Sequence, residues 1–416
     1  MIHASAAASG RNRNLALDVL AAVGVGVALA VVTGLLPGIA RQSGMDPMGL
    51  AALAAAPFLA NVFGLLAGRV GPRSARGAAV IRAAGCVALV VAPLLPTLGV
   101  IGAVLLFWVG YAFGQPLQLR LWGIIYPARQ RGRLVAIVRT AQTAATAVVA
   151  IVGGVLADRV GGHAVLAVAG VVAGALVLAY GLVRAPSQEP QRAYTARDCL
   201  RSILAAPRIR LLLLAQVVLG AGMSAAAPLY ALVQVDRLHL SLTEIGMLGV
   251  VTALATTFSY MPWGVLADRR LGTLGVLSVG GLLGVAGPLG YALAPDLSLL
   301  WLASVGAGLS NAAIDIGITG ALSDKVPLSE RAPLMAAWNG ITGMRGAVAP
   351  LLLGALVQSN VVGPAAALLG CSAVSCLGVV IYGYVAWRRV PVAAPLAGRV
   401  LRLVEVKVAT ARRRIA

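Results

Sequence analysis

The chain has 416 residues, of which 60% are hydrophobic and only 11% are charged. A water-soluble domain carries about 25% charged residues, so these polar groups could not clothe a soluble surface, and a soluble globular fold is excluded. The formal charge of +20, from 33 Lys+Arg against 13 Asp+Glu, would suggest nucleic acid only if the basic residues gathered into one patch.

Read with a window of about 20 residues, the sequence has apolar spans at 15–36, 49–67, 77–95, 98–119, 134–156, 163–183, 211–233, 245–266, 273–294, 297–322, 334–357 and 362–387. Each is long enough, at about 1.5 Å per residue, to cross a hydrocarbon core of roughly 30 Å. Backbone groups in lipid must be satisfied within the segment or in a closed barrel, so these spans predict helices. The expected fold is all-α and integral to the membrane, with twelve transmembrane helices. The first span is longer than a signal-peptide core, and no A-x-A site with a soluble domain follows it, so it is expected to stay as a helix.

With the N-terminus inside, 27 of the 33 basic residues fall in inner segments, and only Arg41, Arg159 and Arg237 fall outside. Arg82, Arg139 and Arg345 lie within spans. This bias predicts a multi-pass plasma-membrane protein (a cell inner membrane in a bacterium) with both termini cytoplasmic. Spread over every inner loop, the arginines form no nucleic-acid surface. Cys86, Cys199, Cys371 and Cys376 have no metal-ligand spacing, and His3, His163 and His239 lie outside the spans, so no metal or cofactor is expected. Intramembrane acids are scattered singly, with no Asp-x-x-Asp, His-Glu-x-x-His or Walker loop, which argues against an enzyme.

The hexapeptide GVLADR occurs at 154–159 and 264–269, and a near copy, GLLAGR, at 64–69. A shift of 200 residues superposes Gly64, Leu66, Ala67 and Arg69 on Gly264, Leu266, Ala267 and Arg269, and Pro127, Arg131, Leu134 and Ala136 on Pro327, Arg331, Leu334 and Ala336. The chain therefore divides into a six-helix half at 1–185, a linker at 186–209, a second half at 210–387 and a basic tail at 388–416. Gly64, Gly154, Gly264 and Gly354 recur at intervals of 90, 110 and 90 residues, on helices of alternating direction, as nested three-helix inverted repeats would give. The fourth copy, GALVQS, lacks the charges. In the tail, Leu396, Val400, Leu403, Val404 and Val408 share a helical face, which could rest on anionic lipid.

Twelve spans in six-plus-six form, with Gly-x-x-x-Asp-Arg-x-x-Gly after span 8, resemble the major facilitator superfamily, of the twelve-helix bacterial type, over essentially the whole chain. The resemblance implies two pseudo-symmetric bundles and a Gly-x-x-x-Asp-Arg-x-Gly-basic-basic signature after helix 2 and, more weakly, helix 8. The first copy, Gly64, Gly68, Arg69, Gly71 and Arg73, lacks the carboxylate; the second, Gly264, Asp268, Arg269 and Gly272, carries one extra residue. Asp268 is expected to latch onto the N-terminus of helix 5, closing the inner side. The outer copy, Asp158 and Arg159, is expected to be an ordinary solvated pair.

The resemblance also places helices 1, 4, 7 and 10 along a central path. Tyr111, Gln115 and Gln118 share a face of helix 4, and Ser304, Gly308, Asn311, Asp315 and Thr319 a face of helix 10. Tyr111 and Gln115 fall on Asn311 and Asp315 at the 200-residue shift. Helix 7 adds Gln216, Ser224 and Gln234. Lining the path is the favoured role for these residues, and polar glue between helices is the alternative. A charge near a helix centre costs ~2.5–3.5 kcal/mol, so Asp315 and Arg345 are expected to pair or to face water. Arg139 shares a face with Gln142 and Thr146. Asp18 and Arg82 are expected to snorkel to the inner surface. The expected function is secondary active transport of a small, amphipathic organic solute by alternating access, with proton-coupled efflux preferred and Asp315 as switch. The expected protein is a monomer whose partners are the solute, the proton and membrane lipid. The alternatives are an organic-anion permease using Arg139 and Arg345, and a non-transporting receptor or scaffold. Of the family's efflux signature on helix 5, Gly153 and Gly154 are present and the Gly-Pro is not.

Overall fold

Uninterrupted apolar runs leave a backbone in lipid no partner but itself, and every predicted span holds a helix among the described residues. The structure, a computed structural model, describes residues 2–64, 71–127, 130–185, 207–325 and 328–387. Of the expected linker at 186–209, residues 186–206 lie outside the described residues, as does the tail from 388. Helix α1 comprises Ile2–Leu29, a π-helical turn Ala30–Leu35, and Leu36–Gln42. Then come α2 (Pro47–Gly64), α3 (Ala75–Val91), α4 (Thr97–Ile125), α5 (Arg131–Val160) and α6 (Gly162–Leu178). The second half holds α7 (Pro207–Leu232), α8 (Leu242–Leu266), α9 (Gly272–Leu293), α10 (Leu297–Lys325), α11 (Leu328–Gln358) and α12 (Pro364–Trp387).

Ten helices among the described residues are long and apolar enough to cross a membrane, and Pro47–Phe63 is a shorter apolar one. One of the ten is a run of 52 residues, Leu242–Leu293, which holds two predicted spans. Gly272, at φ +65°, breaks it into α8 and α9, a backbone conformation that costs glycine little.

Packing repeats between the halves. In the first, α1 lies against α5 and α6, α3 against α4 and α6, and α2 against α4. Each of these pairs recurs six helices later: α7 with α11 and α12, α9 with α10 and α12, α8 with α10. Between the bundles, α2 packs on α11 and α5 on α8, again a symmetric set. Two faces can be distinguished. Asn14, early in α1, exchanges two hydrogen bonds of 3.1 Å with the backbone of Arg184, just after α6; this is the terminal face. The opposite, distal face holds the ends of α1, α5, α7 and α11 and the starts of α2 and α8.

Within the first bundle a polar network ties α1, α3 and α4. The Asp18 carboxylate, fully buried, accepts from Trp122 Nε1 at 2.6 Å, Tyr126 OH at 2.8 Å and Gln118 Nε2 at 3.2 Å. Arg82, also buried, donates to Gln118 Oε1 at 2.9 Å and lies over the Tyr111 ring. This corrects the expectation that Asp18 and Arg82 snorkel. Both are buried inside the bundle, and partners on α4 and its C-cap hold them there. Buried polar groups need such partners, because a stranded donor costs about 1–3 kcal/mol. Asp18→Ala strands three donors at once, so it should cost about 3 kcal/mol or more, read as a lower apparent melting temperature in detergent. Asp18→Asn, which keeps an acceptor oxygen and the shape, should lose less.

Candidate functional site

A cavity of about 470 Å³ lies between the bundles. Its walls come from α1, α2 and α4 on one side and α7, α8, α9 and α10 on the other, with Phe58, Trp108 and Tyr230 supplying ring surface. Two π-helical turns border it, Ala30–Leu35 in α1 and Val233–Arg237 after α7, close to one 200-residue repeat apart. Such turns recur at functional sites because the extra residue re-aims side chains. Here the first presents Thr33 and Gly34 to the cavity and the second presents Gln234. Gln234 Nε2 donates to Tyr291 OH at 2.7 Å, and Tyr291 stacks on Tyr230 with centroids 4.1 Å apart.

The distal face is closed by three polar links between the bundles. Arg41 pairs with Asp236 at 2.8 Å, Asp236 being held by the second π turn. Gln358 Nε2 donates to Asp46 at 3.2 Å. The third link is Asp158, at the end of α5, whose carboxylate accepts from the backbone N–H groups of Leu242 and Thr243, each at 2.9 Å, and from Thr243 Oγ1 at 2.6 Å. These amides open α8, so a carboxylate of one bundle caps a helix of the other, where unpaired N–H groups and the helix dipole favour negative charge. Close backbone approach surrounds it: a Cβ on Gly154 would lie 2.7 Å from the Leu242 carbonyl oxygen, and one on Gly246 would collide with the Ala150 carbonyl. Asp158 is therefore not the ordinary solvated residue expected of it.

Gln358 lies 200 residues after Asp158, at the symmetric position, and cannot act as an anionic cap. The symmetric helix, α2, carries its own carboxylate instead: Asp46 Oδ1 accepts from Gly49 N at 2.7 Å, and Gln358 binds the other oxygen. The loss of charge in the fourth hexapeptide copy is thus matched by an acid gained across the interface.

Toward the terminal face, polar residues of both bundles are exposed. Ser304 lines the cavity, and Asn311 and Asp315, further along its stripe of α10, are exposed. Tyr260 of α8 donates to Asp315 Oδ2 at 3.1 Å. Arg139, on α5 in the other bundle, is exposed too, 5.3 Å from the Trp122 ring centroid and 3.1 Å from Gln142 Oε1.

Residues 212–414 match the family model of the Major Facilitator Superfamily. No curated protein matches the chain in sequence. Among solved structures, the nucleoside transporter NupG superposes with a TM-score of 0.71 at 15% identity, over 90% of this chain and 98% of that one. A POT family transporter in complex with 5-aminolevulinic acid gives 0.73 at 12%, over 90% and 96%. A bacterial homolog of the human lysosomal transporter Spinster, inward-facing and unoccupied, gives 0.63 at 14%, over 91% and 95%. The second half of the chain thus carries the sequence pattern of the major facilitator superfamily, and the chain shares the fold of these transporters. At these identities the structural likeness speaks for the fold.

Within this superfamily fold the residues singled out from the sequence divide into three groups. Asn311, Asp315, Arg139, Gln142 and the half-buried Gln115 are not fully buried, and the first three are exposed toward the terminal face. Gln118 is bound in the Asp18 network, and Tyr111 packs on Trp108 and under Arg82. Gln216 accepts from Tyr382 OH, and Ser224 Oγ donates to the Gly220 carbonyl of its own helix at 2.7 Å; both are buried. Asp315 and Arg345 do not pair. Arg345 Nη1 donates to the Gln216 carbonyl at 2.8 Å, and its guanidinium occupies the space that a side chain at Gly220 would need.

Of the signature residues, Arg69 lies outside the described residues, Gly64 ends α2, and Gly71 follows in the turn. Gly264 is near the end of α8, Asp268 and Arg269 are exposed in a π-helical turn, and Gly272 breaks the chain before α9. Asp268 has no hydrogen-bond or ion-pair partner among the described residues, so the latch occupied in this conformation is the distal one. The cavity-wall rings Phe58, Trp108 and Tyr230 were missed, because an aromatic residue inside an apolar helix carries no signal of the direction it faces. If Asp158 holds the distal face shut, Asp158→Ala should weaken closure by the value of an N-cap, about 0.5–2 kcal/mol, which is about a 2- to 30-fold gain in distal-open molecules. Maleimide labelling of Thr33→Cys from the distal side reads this; an unchanged rate would count against the latch.

Proposed function

We propose that the protein is a secondary active transporter of the plasma membrane that moves a small, largely apolar organic solute by alternating access, coupled to protons in the direction of export. The observation that carries this reading is a cavity shared by two bundles and sealed on one face by contacts that only interbundle movement can break. Both termini are placed in the cytoplasm on the strength of the basic loops, so the conformation described is inward-facing. Export fits an apolar chamber, since a solute of that kind leaks inward through lipid unaided and needs a carrier only to move it out against that leak.

Asp315 is the proposed proton carrier. It is an exposed acid toward the terminal face with one light partner, Tyr260, and Arg139 of the other bundle is exposed there too. Neutralising it on one side of the cycle and ionising it on the other would bias the bundles toward different states. The pairing with Arg345 expected for this switch is replaced by Tyr260. An organic-anion permease is supported only by Arg139, since Arg345 is committed to the α7 backbone.

The test begins with a thermal-shift screen of the purified chain against neutral, cationic and anionic amphipaths, as ligands of the folded state raise its stability. Hits are then carried into proteoliposomes with an imposed pH gradient. Asp315→Asn should lower gradient-driven flux by about 5- to 150-fold, the range of an ordinary coupling free energy, while solute exchange without a gradient persists. Equal loss of exchange and driven flux would remove Asp315 from the coupling role.

A further inference from the structure

The geometry points to an uncharged ligand with a flat aromatic ring and few hydrogen-bonding groups as the class of molecule that the interbundle cavity binds. This rests on the transport reading for the cavity's purpose and deepens it by naming the solute. Among the described residues, no Asp, Glu, Lys, Arg or His contributes to the wall. Burying a charge there would forfeit its hydration with no counter-charge to replace it. The exposed acid and base, Asp315 and Arg139, lie outside this wall, toward the terminal face.

Some of the polar groups that line the cavity are spent. Thr33 Oγ1 donates to the Leu29 carbonyl at 2.6 Å and Thr252 Oγ1 to the Leu248 carbonyl at 3.0 Å, each within its own helix. Gln234 uses its amide N–H on Tyr291. Gln234 Oε1, the Tyr230 hydroxyl and Ser304 Oγ have no hydrogen-bond partner among the described residues and are left for the polar groups of a ligand. Around Gln234 stand the Tyr230–Tyr291 stack, with Phe58 and Trp108 across the interface. Rings of this kind favour a flat partner, stacked or edge-on. The volume, about 470 Å³, lies within the 300–1,000 Å³ typical of sites for drug-sized molecules.

Two glycines give the experiment its blank. Gly34 and Gly249 line the cavity from opposite bundles, and a Cβ on either meets no atom within 4 Å. A side chain at these positions enters the cavity without displacing protein.

The probes are N-phenyl-1-naphthylamine, which is neutral and carries one N–H, and 8-anilino-1-naphthalenesulfonate, the same skeleton with a fixed negative charge. Binding to the full-length purified chain is measured as the difference from Gly249→Phe, which cancels partition into detergent. Gly34→Leu serves as a second plug if the first variant melts early. The expected result is saturable binding of the amine, at least about tenfold weaker in either plugged variant, with the sulfonate at least about tenfold weaker than the amine. Gln234→Leu should weaken the amine severalfold. A sulfonate that binds as tightly as the amine, or amine binding that survives both plugs, overturns the assignment. Distal labelling of Thr33→Cys is scored separately. A chain that never opens distally refutes alternating access and leaves the ligand class standing, whereas preference for the sulfonate refutes the class and leaves alternating access standing.

Discussion

The arrangement turns on one contact, the Asp158 carboxylate set against the first amides of α8. Lipid tails are as apolar as the helices they touch, so burial gives two bundles little reason to stay together. What remains is close packing and polar contact. Small residues supply the first, with Gly154 and Gly246 letting α5 and α8 meet backbone to backbone. The carboxylate supplies the second, and it is suited to a reversible joint. It meets amides that α8 would otherwise leave to water and to its own capping box, Ser241 with Glu244. Opening the joint therefore strands no group for which water cannot substitute at the membrane surface.

Symmetry explains why the joint is single. The interbundle pairs α5–α8 and α2–α11 are images of each other, but only α5 ends in an acid. Its image, Gln358, meets a helix that brings its own acid, Asp46. At α2 an amide, Gln358, meets the helix's own acid, Asp46, whereas at α8 Asp158 takes the first amides and the helix's own Glu244 turns to the Ser241 N–H and hydroxyl. The π turns repeat the same logic. Each is a local slip in the helical ladder close to the same point of the repeat, and each aims a polar side chain where straight helix would show an apolar one.

Much of the fold was legible because the membrane imposes it. Length, apolarity and basic loops act on whole segments, and a 200-residue echo survives scattered substitution. Of the polar residues that interrupt an apolar run, Asn311 and Asp315 are exposed, Asp315 with Tyr260 as a partner. Gln118, Gln216 and Arg345 carry the same sequence signal and are consumed by neighbours on other helices, which spacing along one helix cannot show, while Ser224 is consumed by a carbonyl of its own helix. Asp18 and Arg82 misled for a related reason: proximity to a helix end suggests snorkelling, but Trp122, Tyr126 and Gln118 converge on Asp18 from α4. The two Asp-Arg hexapeptides are identical in sequence, and nothing within six residues can say that one lies against a helix start and the other in an open turn. That distinction belongs to the conformation.

Separating the exposed charges from the uncharged cavity has a consequence for how a carrier of this design would couple. A proton and a solute competing for one carboxylate must interact through direct displacement, which fixes the solute's charge. Here Asp315 lies along α10 from Ser304, which reaches the cavity wall, and is joined through Tyr260 to α8, the helix that Asp158 caps at its distal end. Charge on Asp315 and occupancy of the cavity would then act on the same rigid element from different points along it. Coupling of that kind is a property of the α8 position and not of contact between the two ligands, and it needs no charge on the solute. It also requires α8 to move as a unit, which a capping box at one end and the α8–α10 packing along its length are placed to ensure.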